Sequence, residues 1–515
     1  MTTQDGLSQA VFFSPKEFTM SHNFRDAPLA ALDGRAFING ERRWAVQQQR
    51  FDDVSPLDGK LLCEVARCDS HDIDLAVTAA RRAFDDQRWR GLPPAKRKQV
   101  LIAFADQILT HREELAWLET VDMGKPIRYA RSVDVNSTAN CIRWYGEAID
   151  KVYGEIAPTA SQALALIMRE PLGVVGVIVP WNYPMIMAAW KIAPALATGN
   201  SVVLKPSEKS PLSALRLAEL ALAAGVPPGV FNVVPGFGPE AGTPLALHMD
   251  VDGIGFTGST RVGKHIHVMA GQSNLKRAWT ELGGKSPNIV FADCPDLEQA
   301  VQASVASIFF NQGESCNAPS RLLVENSIKP AFIQRALELL PSYAPAHPLD
   351  DTTVMGALVD STQMDTVLGY IARGQQEGAT LIAGGKRVMQ DSGGYFVQPT
   401  LFDGVRNDMA IAREEIFGPV LSVMGFDSAA EAVRMANDNI YGLQAAVWSR
   451  DINKAHGVAR ALRAGTVHVN QYDEDDITVP FGGYKQSGVG RDKSLHAFDK
   501  YTELKTTWIR IDSPV

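Results

Sequence analysis

The chain has 515 residues, of which 45% are hydrophobic and 21% are charged, and its formal net charge is −8. This length suggests two to four domains, and the composition is that of a globular protein, which argues against long disordered tracts, fibres and coiled coils. The negative charge argues against non-specific binding to nucleic acid or to an anionic membrane surface.

The cysteines also limit the class of protein. They are Cys63, Cys68, Cys141, Cys294 and Cys316, and no two of them form a CxxC pair. A disulfide framework and a structural zinc site are therefore not expected, and no metal is predicted.

The N-terminus lacks a basic segment followed by a long apolar stretch, and no apolar run approaches the ~20 residues that span a bilayer. We expect a cytoplasmic enzyme.

The first third of the chain predicts a hairpin followed by helices. The letters FINGERRW at residues 37–44 predict a strand, a turn and a strand. Apolar residues then recur at helical spacing over residues 73–84 and 96–118. Alternating residues at 163–169 predict a strand without a neighbour, and residues 506–510 repeat that pattern. These two strands could pair with each other or with a second subunit.

The middle of the chain alternates strands with helices, which is typical of a parallel sheet in a doubly wound α/β domain. A helix is predicted over residues 212–224, with Ser210 as its N-cap, Pro211 in its first turn and Gly225 at its C-cap. A second α/β stretch begins near Lys285. The predicted strands lie at residues 174–179, 201–204, 231–234, 253–256, 286–291, 321–325, 421–424 and 466–469, and further helices lie at 297–310 and 331–340.

Two segments of this region have features of a dinucleotide site. In GFTGSTRVG, Gly258, Ser259 and Gly263 lie between a strand and a helix, where backbone N–H groups can bind a pyrophosphate. In KPSE, which follows a predicted strand, Glu208 can bind an adenosine ribose and Lys205 can provide a second contact. Each segment by itself is equally compatible with a tightly packed turn or an exposed ion pair.

Three further residues are candidates for catalysis. Cys316 lies in the polar segment NQGESCNAPS, where a substrate could reach its thiol. Glu281 ends a strand and is followed by two glycines, which suits a general base. Asn182, in PWNYP at the end of another strand, has an amide that could stabilise an oxyanion. A structural role is the alternative for each residue considered alone.

Taken together, the motifs resemble those of the aldehyde dehydrogenase superfamily. They are PWNYP, KPSE, FTGST, ELGGKSP, NQGESC, EEIFGPV and PFGGYKQSG, in that order, and the resemblance extends from about Phe37 to Trp508. It implies an α/β fold with a Rossmann-like cofactor domain, an α/β catalytic domain and a small β arm for oligomerisation. The implied ranges are 21–153 and 172–284 for the NAD-binding domain, 285–485 for the catalytic domain, and 154–171 with 486–515 for the arm.

The resemblance also assigns catalytic roles. Cys316 matches the nucleophile, Glu281 matches the general base, and Asn182 with the Cys316 backbone N–H matches the oxyanion hole. Lys191 matches a residue that relays protons. Many relatives have Glu as its partner after the SGxGR motif, whereas this chain has Asp492, which is one methylene shorter.

The implied cofactor is NAD. Lys205 and Glu208 match contacts to the adenosine ribose, Gly258 and Ser259 match the pyrophosphate site, and Glu415 and Phe417 match residues at the nicotinamide end. The complete predicted set is Val179, Trp181, Lys205, Ser207, Glu208, Gly238, Phe256, Gly258, Ser259, Val262, Gly263, Leu282, Glu415 and Phe417.

The C-terminal run resembles the branch of the family that acts on aldehydes from polyamine breakdown, which implies an ω-amino, γ-glutamylamino or guanidino aldehyde. Four consecutive acids, residues 473–476, precede VPFGG and would attract a cationic substrate unless they form an ordinary solvated loop. The predicted substrate residues are Tyr183, Trp190, Asp134, Tyr472, Glu474 and Asp475, and Asp122 is a further candidate.

Three other interpretations remain. The chain could be a broad-range or betaine-type aldehyde dehydrogenase, a catalytically silent NAD-binding member, or a thiol esterase that uses Cys316 and Glu281. A homodimer or homotetramer is implied by the resemblance, which does not distinguish between the two.

Overall fold

The computed structural model describes residues 32–512 of the chain. Predictions for residues 1–31 and 513–515 lie outside the described residues, and these include the character of the N-terminus and both outer ends of the implied domain ranges. In the described part, no helix combines the length and the apolar character needed to cross a lipid bilayer.

The predicted N-terminal hairpin is present. Asn39 and Gly40 both have positive φ angles in its two-residue turn, as expected for a tight Asn-Gly hairpin. The helical pattern at 96–118 forms two helices, because His111 leaves the helical conformation between them. The first elements are β1 (Ala36–Ile38), β2 (Glu41–Arg43), β3 (Arg50–Val54), β4 (Leu61–Ala66), α1 (Ser70–Asp85), α2 (Pro94–Thr110), α3 (Arg112–Met123), α4 (Ile127–Tyr129) and α5 (Val135–Ala148).

The middle of the chain contains the four strands predicted there, each separated from the next by helical segments. Its elements are β5 (Glu155–Ala157), β6 (Ala163–Pro171), β7 (Val174–Ile178), α6 (Pro184–Ala197), β8 (Ser201–Lys205), α7 (Leu212–Ala223), β9 (Phe231–Val233), α8 (Thr243–Leu247), β10 (Gly253–Gly258), α9 (Thr260–Gln272) and β11 (Arg277–Leu282).

The last part of the chain contains the second predicted α/β stretch. Its elements are β12 (Pro287–Val290), α10 (Leu297–Phe309), β13 (Arg321–Glu325), α11 (Lys329–Leu339), α12 (Ser361–Gln376), β14 (Thr380–Ala383), β15 (Arg387–Val388), β16 (Phe396–Val397), β17 (Thr400–Asp403), α13 (Ala410–Arg413), β18 (Val420–Phe426), α14 (Ala429–Asn437), β19 (Gln444–Trp448), α15 (Ile452–Ala461), β20 (Thr466–Val469), β21 (Gly488–Val489) and β22 (Thr502–Arg510).

The first large sheet has the strand order β2-β1-β9-β8-β7-β10-β11-β21. Its five central strands, β9, β8, β7, β10 and β11, are parallel to one another. After the hairpin of β1 and β2, the parallel part of the sheet begins at β7 and extends outwards through β8 and β9. The chain then returns to the other side of β7 with β10. This reversal creates a crevice at the carboxyl ends of β7 and β10, where ligands of doubly wound sheets bind.

The second large sheet has the order β14-β17-β18-β13-β12-β19-β20, and β14 is its one antiparallel strand. Only four residues separate β11 of the first sheet from β12 of the second, and they include Gly283 and Gly284. The carboxyl end of β11 therefore lies where the two sheets meet. The predicted parallel α/β architecture is confirmed.

The two strands predicted without neighbours pair with each other. β6 and β22 form an antiparallel ladder from Ala163↔Arg510 to Pro171↔Thr502, and β5 extends it to a sheet of three strands. β21 belongs to the first large sheet although it falls within the range 486–515 expected for the arm. The domain boundaries themselves stay a prediction.

The predicted N-cap of α7 is wrong. Pro211 holds the capping position, and the Ser210 hydroxyl donates instead to the carbonyl oxygen of Trp181 at 3.2 Å. The Asp122 carboxylate accepts a hydrogen bond from the backbone N–H of Leu212 at 2.9 Å. A side chain distant in sequence therefore satisfies a donor that a local cap would have satisfied.

Candidate functional site

The predicted cofactor and catalytic residues converge because four parallel strands end side by side. Asn182 follows β7, Glu208 follows β8, Ser259 follows β10, and Glu281 lies near the end of β11. Neighbouring parallel strands end at the same edge of a sheet, so their following loops form one continuous crevice.

Cys316 lies in a loop between α10 and β13 that has an unusual backbone. Asn311 and Gln312 have φ angles of 49° and 58°, in the left-handed region, and both side chains are buried. The Asn311 side chain donates to the carbonyl oxygens of Asn182 and Glu314, each at 3.1 Å. These bonds attach the loop of Cys316 to the end of β7.

Asn182 is oriented by the same loop. Its Nδ2 donates to the carbonyl oxygen of Glu314 at 2.9 Å, and its side chain is buried. The amide nitrogen carries two hydrogens, so one remains for another acceptor. Asn182 is thereby fixed close to Cys316 with a donor available, as an oxyanion site requires.

Glu281 and Cys316 influence each other's protonation. Burial raises the pKa of the Glu281 carboxyl to about 8, and the positive charge of Lys191 opposes this shift. Burial also raises the pKa of the Cys316 thiol well above its usual range, and the Glu281 carboxylate raises it further. Both carboxylate oxygens of Glu281 are buried, and the interaction of this carboxylate with the Cys316 side chain favours its ionised form.

Lys191 belongs to a buried group of alternating charges. Its Nζ donates to Oδ2 of Asp492 at 3.0 Å, and Nζ of Lys500 donates to Oδ1 of the same carboxylate. The pKa of Asp492 is lowered to about 2, since its attraction to Lys191 and Lys500 outweighs the opposing effect of burial. The shorter Asp at this position therefore still contacts Lys191.

The two KPSE residues predicted for the adenosine ribose lie together. Nζ of Lys205 donates to the carbonyl oxygen of Pro206 at 2.8 Å and to Oε2 of Glu208 at 3.4 Å. Burial lowers the pKa of Lys205, whereas the Glu208 side chain is about one third exposed. Glu208 thus offers carboxylate oxygens at the surface of the crevice. Ser207, between them, accepts a hydrogen bond from the backbone N–H of Lys209 at 3.2 Å.

The start of α9 has the capped helix end on which the predicted anion site depends. The Ser259 hydroxyl caps the helix by accepting from the N–H of Val262 at 3.3 Å, and the first N–H groups of a helix have no acceptor within it. Gly258 precedes the cap, and its missing Cβ leaves room for the Phe256 ring. Gly263 similarly leaves room for the Leu282 side chain, which fixes α9 against β11. The positive end of a helix dipole points into the crevice here.

Glu415 connects this crevice to the second sheet. Its Oε1 accepts a hydrogen bond from the N–H of Gly284 at 2.9 Å, and burial raises its pKa to about 7. A Cβ on Gly283 would lie 2.1 Å from a carboxylate oxygen of Glu415, and one on Gly284 would lie 2.2 Å from the carbonyl oxygen of Cys316. Both glycines are therefore required for this close approach.

The remaining predicted cofactor residues lie in the segments after β7 and β9 and before β18. Phe417 has a φ of 58°, and its ring meets Trp181 edge-on with centroids 5.2 Å apart. The N–H of Val179 continues the β7–β8 ladder by donating to the carbonyl oxygen of Lys205 at 3.2 Å. Gly238 begins a short π-helical turn, and a Cβ there would meet no atom within 4 Å. The open space, the capped helix and the acidic groups together fit an elongated dinucleotide.

Two predicted substrate residues contact the neighbours of Cys316. The Tyr183 hydroxyl lies 3.4 Å from Oγ of Ser315, and the Tyr472 hydroxyl donates to the carbonyl oxygen of Asn317 at 2.6 Å. Asn317 also donates from Nδ2 to Oδ1 of Asp473 at 2.6 Å. Partial enclosure raises the pKa of Asp473 to about 6, and its charge acts on both Tyr183 and Cys316.

Trp190 belongs to a second group of contacts, formed with Phe481 and Lys493. Its ring lies 5.2 Å from that of Phe481, and Nζ of Lys493 lies 5.4 Å from the Trp190 ring. Lys493 forms an ion pair with Asp475, so the charge of this predicted substrate residue is already balanced. Glu474 is exposed and has no ion-pair partner among residues 32–512.

The prediction for Asp134 is not supported by its surroundings. Its carboxylate is buried and forms an ion pair with Lys125, whose Nζ lies 4.4 Å from the centre of the Tyr183 ring. Its Oδ1 is paired with Lys125 and its Oδ2 is enclosed, so neither oxygen is open to a substrate amine. Asp122 is equally buried, and it interacts with Asp53.

Several residues of the site were missed by sequence reasoning. They act through contacts between distant segments, which residue spacing does not indicate. The four consecutive acids at residues 473–476 indicated a charged loop, but they did not indicate that Asn317 holds Asp473 beside the nucleophile. The missed residues are Lys125, Asn311, Asn317, Phe481, Lys493 and Lys500.

Comparison with known proteins identifies the family of the chain. The sequence model of the Aldehyde dehydrogenase family matches residues 44–507. The NADP/NAD-dependent aldehyde dehydrogenase PuuC of Escherichia coli K12 is 53% identical over 483 residues, which cover 94% of this chain and 97% of that protein.

Two solved structures are similarly close. The indole-3-acetaldehyde dehydrogenase AldA of P. syringae, solved with NAD⁺ and IAA, has a TM-score of 0.94 at 57% identity over 96% of this chain and all of its own. The γ-glutamyl-γ-aminobutyraldehyde dehydrogenase of Burkholderia cenocepacia has a TM-score of 0.92 at 57% identity, covering 94% of this chain and 99% of its own. The predicted fold is confirmed, and the chain belongs to the aldehyde dehydrogenase family.

Proposed function

We propose that this protein uses NAD⁺ to oxidise an amine-bearing aldehyde of the kind released in polyamine breakdown to its carboxylic acid. The observation that carries the proposal is the grouping of Cys316, Glu281 and Asn182 at the junction of the two sheets, with Asp473 beside the thiol. The names of the E. coli and B. cenocepacia relatives support the reaction and the substrate class.

In the first half of the reaction, Cys316 forms a covalent bond to the substrate. Glu281 is positioned to take the thiol proton, because its pKa of about 8 makes its carboxylate a base of suitable strength. The sulfur adds to the aldehyde carbon, and the carbonyl π electrons move to oxygen. The free N–H of Asn182 and the backbone N–H of Cys316 then stabilise that oxyanion.

The oxyanion collapses and a hydride leaves the former aldehyde carbon, which gives a thioester on Cys316. NAD⁺, when bound, accepts this hydride. Glu208 and Lys205 would bind its adenosine ribose, the start of α9 its pyrophosphate, and Glu415 its nicotinamide ribose. Trp181 and Phe417 would border its nicotinamide ring.

In the second half, water opens the thioester. Glu281, once ionised again, removes a proton from the water as its oxygen attacks the acyl carbon. The carbon–sulfur bond breaks, the acid leaves, and Cys316 recovers its proton. A thiol esterase would need only this half, and it would have no use for Glu208 and Glu415.

The substrate class follows from the charge beside Cys316. Asp473 is bonded to the neutral Asn317 side chain, so its charge is not balanced by a cation there, and Glu474 adds a second carboxylate nearby. A substrate with an ammonium or guanidinium group would be attracted to this end of the site. Asp475 contributes less, because Lys493 balances its charge.

A neutral aromatic aldehyde is a second candidate substrate. The Trp190 and Phe481 rings lie with their centroids 5.2 Å apart, and the P. syringae relative is named for indole-3-acetaldehyde. Apolar rings of this kind would bind an indole without needing Asp473.

A panel of aldehydes separates these candidates. NADH formation with 4-aminobutyraldehyde, its γ-glutamyl derivative, 4-guanidinobutyraldehyde, indole-3-acetaldehyde and propionaldehyde is compared as kcat/KM. We expect at least about a tenfold preference for the amine-bearing or guanidino substrates, which corresponds to roughly 1.4 kcal/mol. Preference for propionaldehyde or indole-3-acetaldehyde would contradict the proposed substrate class.

We also propose that the protein is a cytoplasmic homodimer or homotetramer assembled through the arm sheet of β5, β6 and β22. Ile156, Leu504 and Trp508 are each more than 60% exposed there, and β22 is an edge strand of this sheet. A cytoplasmic location suits the five cysteines, all of which are free. Sedimentation of the native protein tests the assembly, and a Trp508→Glu variant that sediments like the native protein would contradict this interface.

A further inference from the structure

Lys500 is a buried cation outside the groups that the reaction itself requires. It ends the 3-10 helix Leu495–Lys500, and its side chain is 8% exposed. Its Nζ donates to Oδ1 of Asp492, whose other oxygen accepts from Lys191. One short carboxylate is therefore held between two ammonium groups.

A cavity connects these groups to the general base. Its lining includes Glu281, Lys191, Asp492 and Lys500, with Trp279 and Gly490 between them. The charges alternate in sign along this lining from Glu281 to Lys500. The charge of Lys500 acts on Glu281 as well as on Asp492.

The other groups packed around Lys500 and Asp492 cannot replace this charge. The Tyr501 ring lies 5.5 Å from Nζ of Lys500, and its phenol is buried. Cys141 and Tyr145, on α5, also face Asp492, and burial raises the pKa of both so that they stay neutral. Arg491 lines the same cavity and keeps its charge, but its guanidinium donates to the carbonyl oxygens of Gly483 and Gly490, whereas the ion pairs of Asp492 within residues 32–512 are with Lys191 and Lys500.

We propose that Lys500 is a positioning residue for thioester hydrolysis: it holds Asp492 in place against Lys191 in the cavity that leads to Glu281. The proposal rests on the proposed function only in requiring that a thioester on Cys316 is hydrolysed. Asp492 is one methylene shorter than Glu, and the second ammonium fixes the orientation that keeps it in contact with Lys191. Loss of the Lys500 charge would leave a buried carboxylate with a single partner and disfavour ionisation of Glu281.

Three variants test this role, with propionaldehyde and NAD⁺ as substrates so that the result is independent of the amine-bearing substrate class. Lys500→Met removes the charge, Lys500→Arg keeps it, and Lys60→Met is a matched control at an exposed, ion-paired lysine between β3 and β4. The first-turnover burst of NADH reports hydride transfer, and the later steady rate reports hydrolysis when hydrolysis is slower. Both are measured from about pH 6 to about pH 10.

For Lys500→Met we expect the burst rate to stay within about threefold of the native rate and the steady rate near neutral pH to fall about tenfold. The acidic limb of the pH profile of the steady rate should move to higher pH by about half a unit or more. Lys500→Arg should restore the native position of the acidic limb, and Lys60→Met should match the native enzyme. If Lys500→Met does not fold, Lys500→Gln replaces it with the same expectation.

An unmoved acidic limb in the charge-removing variant would overturn the proposal, whether or not the rate falls. Equal losses of burst and steady rate would do the same, since they would indicate a general structural role. A native enzyme that forms no NADH from any aldehyde would instead contradict the proposed function, so the two failures are distinguishable.

Discussion

The side chain of Asn317 donates a hydrogen bond of 2.6 Å to the carboxylate of Asp473. The residue directly after the nucleophile therefore fixes a negative charge beside the reacting thiol. Asp473 has a φ of 68° and a pKa raised to about 6 by partial enclosure, so it is still mostly ionised at neutral pH. This contact links substrate preference to the same loop that carries Cys316.

Asp473→Asn should reduce the preference for cationic aldehydes. The amide keeps the shape of the side chain but removes its charge, so kcat/KM for 4-aminobutyraldehyde should fall about tenfold while that for propionaldehyde stays within about twofold. Asp476→Asn is the matched control, because Asp476 bonds to Thr478 in the same segment. Equal losses for both aldehydes, or a similar loss in the control, would contradict the role of Asp473.

The pKa of Glu281 predicts a dependence of turnover on pH. The base works only when ionised and its pKa is raised to about 8, so steady-state NADH formation should fall as the pH decreases through that value. Glu281→Gln should lose turnover over the whole range. The acidic limb of the pH profile is measured from initial rates at saturating NAD⁺ and aldehyde, between about pH 6 and about pH 10. A limb near the ordinary pKa of a carboxyl group would show that another residue is the base.

Glu208→Gln should weaken the binding of NAD⁺ relative to NADP⁺. A carboxylate binds ribose hydroxyls strongly and repels a 2′-phosphate, so the dissociation constant for NAD⁺ should rise about tenfold and that for NADP⁺ should fall or stay equal. Titration of intrinsic fluorescence measures both constants without turnover. Glu338→Gln, on a helix of the second sheet, is the control. Unchanged dissociation constants would show that Glu208 does not bind the adenosine ribose.

Lys125→Met should destabilise the fold. Lys125 is the cation between the buried carboxyl groups of Asp134 and Glu119, and without it both must be protonated or stay buried as uncompensated charges. We expect a loss of about 3–5 kcal/mol in the free energy of unfolding, measured by urea denaturation. The exposed pair of Arg335 with Glu298 provides the control, and Arg335→Ala should shift the urea midpoint much less. Equal shifts would contradict the structural role of Lys125.

The sequence predicted the strands that carry the site better than the contacts within it. Buried parallel strands appear as short apolar runs, so β7, β8, β9 and β10 were all expected, and Asn182 could be placed at a strand end. The motif order then implied the roles of Cys316 and Glu281. These features depend on local composition and on motifs shared with a family, and a single sequence is enough to recognise both.

Contacts between distant segments could not be predicted in this way. Asp134 is an apparently available acid in the sequence, but a lysine nine residues earlier neutralises it in the fold. The same applies to Asp475, whose partner Lys493 is eighteen residues away. Ser210 had the right residue type for a cap, but Asp122 provides the acceptor from another helix. Side-chain pairing of this kind is decided by packing.

Replacement of Cys316 tests the central claim most directly. NADH formation is measured for Cys316→Ala and for Cys63→Ala, a half-buried cysteine on β4 in the two-stranded sheet with β3, after circular dichroism has shown that both variants fold. Covalent catalysis through Cys316 predicts a loss of at least about a thousandfold in the first variant, or roughly 4 kcal/mol of transition-state stabilisation, and turnover within about twofold of native in the second. A Cys316→Ala enzyme that keeps near-normal turnover would contradict the account.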